Sequence, residues 1–135
     1  MKLSKKGEYA LRAMVQLARN YPKGVVRIGA ISDKEKIPKK FLERILVDLK
    51  KAGLVRSTRG LDGGYELCRP PVKITLAEVI REIDGPLAPL SCVSRYNHVC
   101  CPDEKRCGLK AAMLKVRNAI AGVLEKLTLK DIAGK

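Results

Sequence analysis

Residues 92–107 read CVSRYNHVCCPDEKRC, which places four of the five cysteines and the only histidine, His98, in one short stretch. Thiolates and imidazole are ligands for soft and borderline metals, and thiols also support redox chemistry. Arg95, Lys105 and Arg106 beside them favour thiolate over thiol. From Gly85 to Arg106 there is no strong helix or strand period. Segments of that length inside compact domains are uncommon unless functional or disordered. A bound metal centre supplies the organising contacts such a segment lacks. Thiolates with His98 suit tetrahedral zinc, but the paired C-x2-C knuckles usual in structural zinc sites are missing. A disulfide switch is a third option. The chain shows neither a membrane-length apolar run nor a signal-peptide pattern, which predicts a cytoplasmic protein with reduced thiols. That setting favours metal or redox chemistry over structural disulfides.

The rest of the chain must position this stretch. Its 135 residues suit one domain with a short extension, and 46% hydrophobic content is enough for a core. Apolar periodicity predicts a helix from Lys6 to Asn20, capped by Ser4 and ended by NYPKG. A short helix without a good cap follows from Ile28 to Glu35. A third opens with Pro38 at its first position and runs to about Ala52, with Gly53 as its stop. Phe41, Leu42, Ile45, Leu46 and Leu49 fall on one face of it, and Lys40, Glu43, Arg44, Val47 and Lys51 on the other. LVRST and YELC read as two strands joined by RGLDGG, a hairpin with a glycine-rich basic tip, and Cys68 ends the second strand as a structural residue. Thr75 and Glu78 form a capping box for LAEVIREID. A long helix from Gly108 to Leu127 carries apolar residues at steps of three and four, close to a heptad seam.

Lys and Arg total 28 against 14 Asp and Glu, a formal charge of +14. Self-repulsion at that level destabilises a small domain, and a polyanion relieves it. Duplex DNA is the leading partner, since neutralising phosphates releases counterions. Helix, short helix, turn, helix, hairpin is the order of a winged helix–turn–helix. The third helix would enter the major groove, with Lys39, Lys40, Glu43 and Arg44 near its start. Arginine reads guanine, and glutamate accepts from cytosine. Glu43 either discriminates between sequences or pairs with Arg44 or Lys40. At the hairpin tip, Gly60 allows close backbone approach, and Arg59 reaches phosphates or a narrow minor groove.

MKLSKKGEYALRAM, IPKKFLERIL, GLVRSTRGLDGGYEL and ITLAEVIREIDG resemble the IscR/NsrR-type family of bacterial iron–sulfur winged-helix transcription regulators. The likeness covers nearly the whole chain, with RGLDGGY and the N-terminal motif its most specific parts. It implies a mainly α fold with a small β-hairpin: a winged helix–turn–helix over 1–84, a cysteine-rich cluster-binding loop over 85–107, and a dimerisation helix and tail over 108–135. It implies a homodimeric regulator, usually a repressor, acting on a palindromic operator. It also implies an iron–sulfur cluster (2Fe–2S or 4Fe–4S) held by Cys92, Cys101 and Cys107. Cys101 rather than Cys100 matches the family's Cys-Pro spacing, and adjacent cysteines rarely chelate one ion comfortably. For the fourth ligand some relatives use a histidine three residues after the last cysteine, but Lys110 stands there. Others use an acidic residue of the first helix from the partner subunit, a position Glu8 matches. His98 is another option.

Other functions fit less well. With one histidine and no phosphate-binding glycine motif, an enzyme is not expected, and GLDGG departs from the dinucleotide pattern. An RNA-binding module is disfavoured by an aromatic content of 4%. A cluster carrier would need the cysteines but not the basic helix and hairpin.

Overall fold

The computed structural model describes residues 3–61, 63–85 and 108–134. Helix α1 spans Lys5–Asn20 and starts where expected, because the Ser4 hydroxyl accepts from Gly7 N at 2.9 Å. Asp84, from the far end of the winged domain, joins this cap: its carboxylate accepts from Ser4 N at 3.0 Å and from the Ser4 hydroxyl. Gly7 leaves room for this cap, since a Cβ there would displace the Asp84 carboxylate and the Leu3 side chain. Helix α2 (Ile28–Glu35) has Arg27 at its N-cap with no side-chain cap bond, as its sequence predicts. It ends at Lys36, a left-handed residue with φ 54°.

Helix α3 is Lys39–Lys51. Pro38 precedes it as the N-cap in extended geometry (ψ 128°) instead of occupying the first helical position, a correction of one residue. Leu42, Ile45, Leu46 and Leu49 are fully buried, while Lys40, Glu43, Arg44, Val47 and Lys51 are exposed, so the two-faced reading of this helix holds. Phe41 is the exception on the apolar face. It sits at the rim, edge-on to Tyr9 with centroids 5.6 Å apart.

Strands β1 (Val55–Thr58) and β2 (Gly64–Leu67) pair antiparallel, Val55 opposite Leu67 and Thr58 opposite Gly64. Cys68 lies one residue beyond β2 and is exposed, so it is not the packed strand residue expected. A 3-10 turn over Pro71–Lys73 leads to α4 (Leu76–Asp84), whose capping box of Thr75 and Glu78 is present.

Helix α5 is Gly108–Leu124, three residues shorter than expected. The chain then turns back. Thr128 caps a short helix α6 (Leu129–Ala133) that the apolar period had merged into a tail. Leu76 N donates to Leu127 O at 2.9 Å and Leu129 N to Ile74 O at 3.0 Å, so Thr75 and Thr128 face each other as a β-bridge. Leu129 is fully buried in the same cluster as Met14, Leu17, Ile31, Leu46 and Ile74. Residues 128–134 thus complete the core of the winged domain.

Thr75 both caps α4 and bridges to Thr128. Replacing it by alanine removes the cap, typically worth about 1 kcal/mol. Urea unfolding of Thr75→Ala should show a lower midpoint at unchanged slope, and Thr75→Ser should recover most of the loss. An unaltered midpoint in Thr75→Ala would contradict this.

Candidate nucleic-acid interface

The exposed stripe of α3 repeats at helical spacing: Lys40, Glu43, Arg44, Val47, Lys51. The buried Leu42, Ile45, Leu46 and Leu49 fix the helix on the domain and turn that stripe to solvent. Among the described residues, the side chains of Lys39, Lys40, Glu43 and Arg59 make no hydrogen bond or ion pair. The alternative pairing of Glu43 with Lys40 or Arg44 is therefore not formed, and its carboxylate stands open beside the cations.

The hairpin stands beside this helix. Lys39 and Lys50 of α3, Arg27 before α2, and Thr58, Arg59 and Gly60 of the hairpin line one cleft of about 890 Å³. The fold thus brings Lys39, Arg59 and Gly60 together, while Lys40, Glu43 and Arg44 continue the surface along α3. Gly60 has φ 115°, a conformation that disfavours any side chain. Arg56 on β1 pairs with Glu66 across the strands at 2.8 Å, which leaves Arg59 as the unpaired cation among the described residues of the hairpin.

Sequence periodicity missed what holds the hairpin in place. Val26, in the linker between α1 and α2, exchanges two backbone bonds with Tyr65 at 2.8 and 2.9 Å. One bridging residue leaves no alternating pattern to detect. The glycines were the only clue: a Cβ on Gly64 would collide with the Val26 carbonyl, and one on Gly63 with that of Thr58.

Helix α3 is also tied to α1. Lys6 Nζ lies 2.7 Å from Asp48 Oδ2. This hydrogen bond, against an opposing cost of burial and with the charges of Lys6, Lys51 and Arg44, holds the Asp48 carboxyl below the usual range. A depressed carboxylate contributes stability above its unfolded pKa and loses it as pH falls through the lowered value. Both side chains are partly exposed, so the contribution is small.

Glu8 is elsewhere, one turn into α1, and its carboxylate meets Arg12 at 2.8 Å and Lys5 at 3.6 Å. Cys92, Cys101, Cys107, Cys100 and His98 lie outside the described residues. Among the described residues no group of three or more His, Cys, Asp or Glu stands close enough to hold a metal.

The profile of the Rrf2 family, described as iron-dependent transcriptional regulator, matches residues 3–135. A Rhodobacter capsulatus protein named as an rrf2-like HTH-type transcriptional regulator is 39% identical, over 96% of this chain and 91% of its own length. The HTH-type transcriptional regulator CymR of Bacillus subtilis is 32% identical over 98% of this chain and 90% of its own. Its structure, described as that of the global cysteine regulator, superposes with a TM-score of 0.84 over 98% of this chain and 96% of that one. The structure of T. potens IscR superposes at 0.78, with 31% identity, over 98% of this chain and 85% of that one. These relatives are named as regulators, not enzymes, and their fold is the winged helix described above. With the profile spanning all but two residues, and regulators on both sequence and structural comparison, this chain belongs to the Rrf2 family of transcriptional regulators.

Proposed function

We propose that the chain is a homodimeric repressor in the cytoplasm that reads a palindromic duplex operator with α3 and the wing, and that an iron–sulfur cluster on the 85–107 segment sets its DNA affinity. The observation carrying the DNA reading is the open face of Lys39, Lys40, Glu43 and Arg44 sharing a surface with Arg59 and Gly60. Lys40 and Arg59 supply phosphate neutralisation, and Arg44 and Glu43 can address base edges. Glu43 repels phosphate, so its presence there makes sense as discrimination.

Duplexes selected by the protein from a random-sequence pool provide the test. Lys40→Ala should weaken binding to all of them alike and flatten the salt slope by about one unit. Arg59→Ala should remove a wing contact, and Glu43→Ala should leave affinity intact while relaxing the selected consensus. Unchanged binding in all three would mean that another surface meets the DNA.

The dimer reading rests on α5. Leu109, Val116 and Val123 are one heptad apart and 58%, 40% and 58% exposed, with exposed Ala112 and Ala119 between them. That is a seam left exposed among the described residues of one subunit. Ile120 and Leu124 of the helix, and Leu127 just beyond it, pack on the core instead. Val116→Glu and Val123→Glu should therefore give monomers at micromolar concentration by sedimentation, with much weaker operator binding. A monomeric wild type would sink the reading.

Fitness for a cluster is a matter of donor chemistry. Three cysteines, Cys92, Cys101 and Cys107, supply thiolates, the usual ligands of iron–sulfur clusters, and Glu8 of the partner subunit offers a surface carboxylate for the remaining position. To serve, that carboxylate must leave Arg12. A bound cluster supplies a centre that reacts with oxidants and nitric oxide and can be lost when supply falls. The protein's own part is transmission. Asp84, next to Gly85 and the segment, bonds the start of α1, and two residues on Lys6 grips Asp48 of α3. Gly108 begins the proposed dimer helix at the segment's other end.

A second reading, a zinc- or thiol-responsive regulator without a cluster, draws support from the likeness to a cysteine regulator. Anaerobic purification with iron, sulfide and zinc analysis separates the two. Cys92→Ala, Cys101→Ala and Cys107→Ala should each abolish the visible absorbance of a reconstituted cluster, while Cys100→Ala and Cys68→Ala should retain it. Glu8→Ala should give a cluster that forms but is lost faster. Stoichiometric zinc without iron would select the second reading.

A further inference from the structure

Among the described residues the wing is gripped from the linker before α2 both by backbone and by a side chain. At its base, Val26 pairs with Tyr65 through two backbone bonds, and Gly64 lets the linker lie directly against β2. Arg27, the next residue, continues past the bridge. Its guanidinium Nη2 donates to the carbonyl oxygen of Leu61, within the turn that follows Arg59 and Gly60. The Leu61 side chain is 92% exposed, so it does not anchor the turn by packing. Gly60, just before Leu61, adds no side chain to hold it. Two β-strands of four residues each do not by themselves fix the direction of such a tip. Arg27 also lines the cleft shared by Lys39 of α3 and Arg59. It reaches the hairpin from the N-cap of α2, the first helix of the helix–turn–helix.

We propose that Arg27 is a positioning residue for operator recognition: its bond to the Leu61 carbonyl sets the wing tip, and with it Arg59, at a fixed place relative to α3. This deepens the DNA reading above and rests on it. A duplex presents its major groove and the flanking backbone at a fixed separation. A protein touching both gains the second contact cheaply only if the two elements are already spaced. Arg27 supplies that spacing through an interaction within the chain.

Arg27 is itself a surface cation, so a direct phosphate contact is the rival account. A double-mutant cycle separates them. The full-length protein would be titrated with the duplex that the wild type selects from a random pool, using Arg27→Ala, Arg59→Ala and the double variant. Positioning predicts that Arg27→Ala weakens binding by about three- to tenfold, the worth of one hydrogen bond. In the Arg59→Ala background it should have little further effect, because the contact it aims is already gone. Hydrogen exchange of the free Arg27→Ala protein should be faster at residues 58–64 and unchanged in α3. A phosphate contact instead predicts equal losses in both backgrounds, a salt slope flatter by about one unit in each, and unchanged exchange. Multiplicative losses, or no loss from Arg27→Ala, would overturn the proposal. If Arg59→Ala alone leaves affinity intact, the wing contact fails and the inference falls with it. If Arg59→Ala weakens binding but Arg27→Ala does not, only the inference falls.

Discussion

Everything in the winged domain is built against α1. Ala10, Ala13, Met14 and Leu17 are shut off from water, and the alanines keep that helix slim enough for neighbours to close on it from several sides. Helices α3, α4 and α6 and strand β2 all pack on α1. Its first turn is closed by residues from opposite ends of the domain, Ser4 and Asp84, over a glycine that leaves room for the carboxylate. Its last turn is held by Arg19, whose Nε donates to the Ala133 carbonyl at 3.1 Å. Removing core volume from such a helix leaves cavities that several elements share, and cavity costs scale with how little the surroundings can collapse.

The distribution of charge follows from the same scaffold. The chain carries 14 acidic residues against 28 basic ones. Most of the described acids are engaged in structural tasks. Glu8, Asp48, Glu66, Glu78 and Glu125 sit in ion pairs, Asp84 and Asp131 satisfy helix caps, and Glu35 accepts from buried Gln16. The five in ion pairs each offset a cation that belongs to the framework. Lys39, Lys40 and Arg59 are left over, so the excess of base becomes a concentrated local field. Focusing of that kind, more than net charge, raises encounter rates with a polyanion.

Local signals in the sequence were read correctly wherever the physics is local. The Ser4 cap, the Thr75–Glu78 box, the weak start of α2, the two faces of α3 and the register-free basic tip of the hairpin are all decided within a few residues. What escaped depends on contacts between distant residues. The apolar period ran from Gly108 through Leu127 without a break, because Leu124 and Leu127 are apolar for another reason: they meet the core as the chain reverses. Thr128 and Asp131 form a capping box as good as that of Thr75 and Glu78, and it was the overlooked sign of α6. Val26 and Arg27 look like ordinary linker residues. Their role appears only once Tyr65 and Leu61 are beside them. The site residues split in the same way: those on α3 could be placed by helical spacing, while those of the cysteine segment had only a family likeness to order them.

Burial along α5 is uneven, and that has a mechanical consequence. Its C-terminal end is anchored: Ala121 is 2% exposed, Ile120 and Leu124 lie on the core, Glu125 pairs with Arg81 at 2.6 Å, and α6 follows inside the domain. Its N-terminal half, from Gly108 to Ala119, has no buried residue. A helix held at one end behaves as a lever with its fulcrum near Ala121. On the proposed reading, Cys107 applies any change in metal state at Gly108, the free end, while the seam of Leu109, Val116 and Val123 joins the two subunits along the arm. The anchored end is continuous, through the Thr75–Thr128 bridge, with the helix α4 that packs on α3. On that reading, a small rotation at the Gly108 end would be passed to the spacing of the two recognition helices. That spacing is the quantity to which a palindromic site is most sensitive, because its half-sites lie at a fixed separation along the duplex.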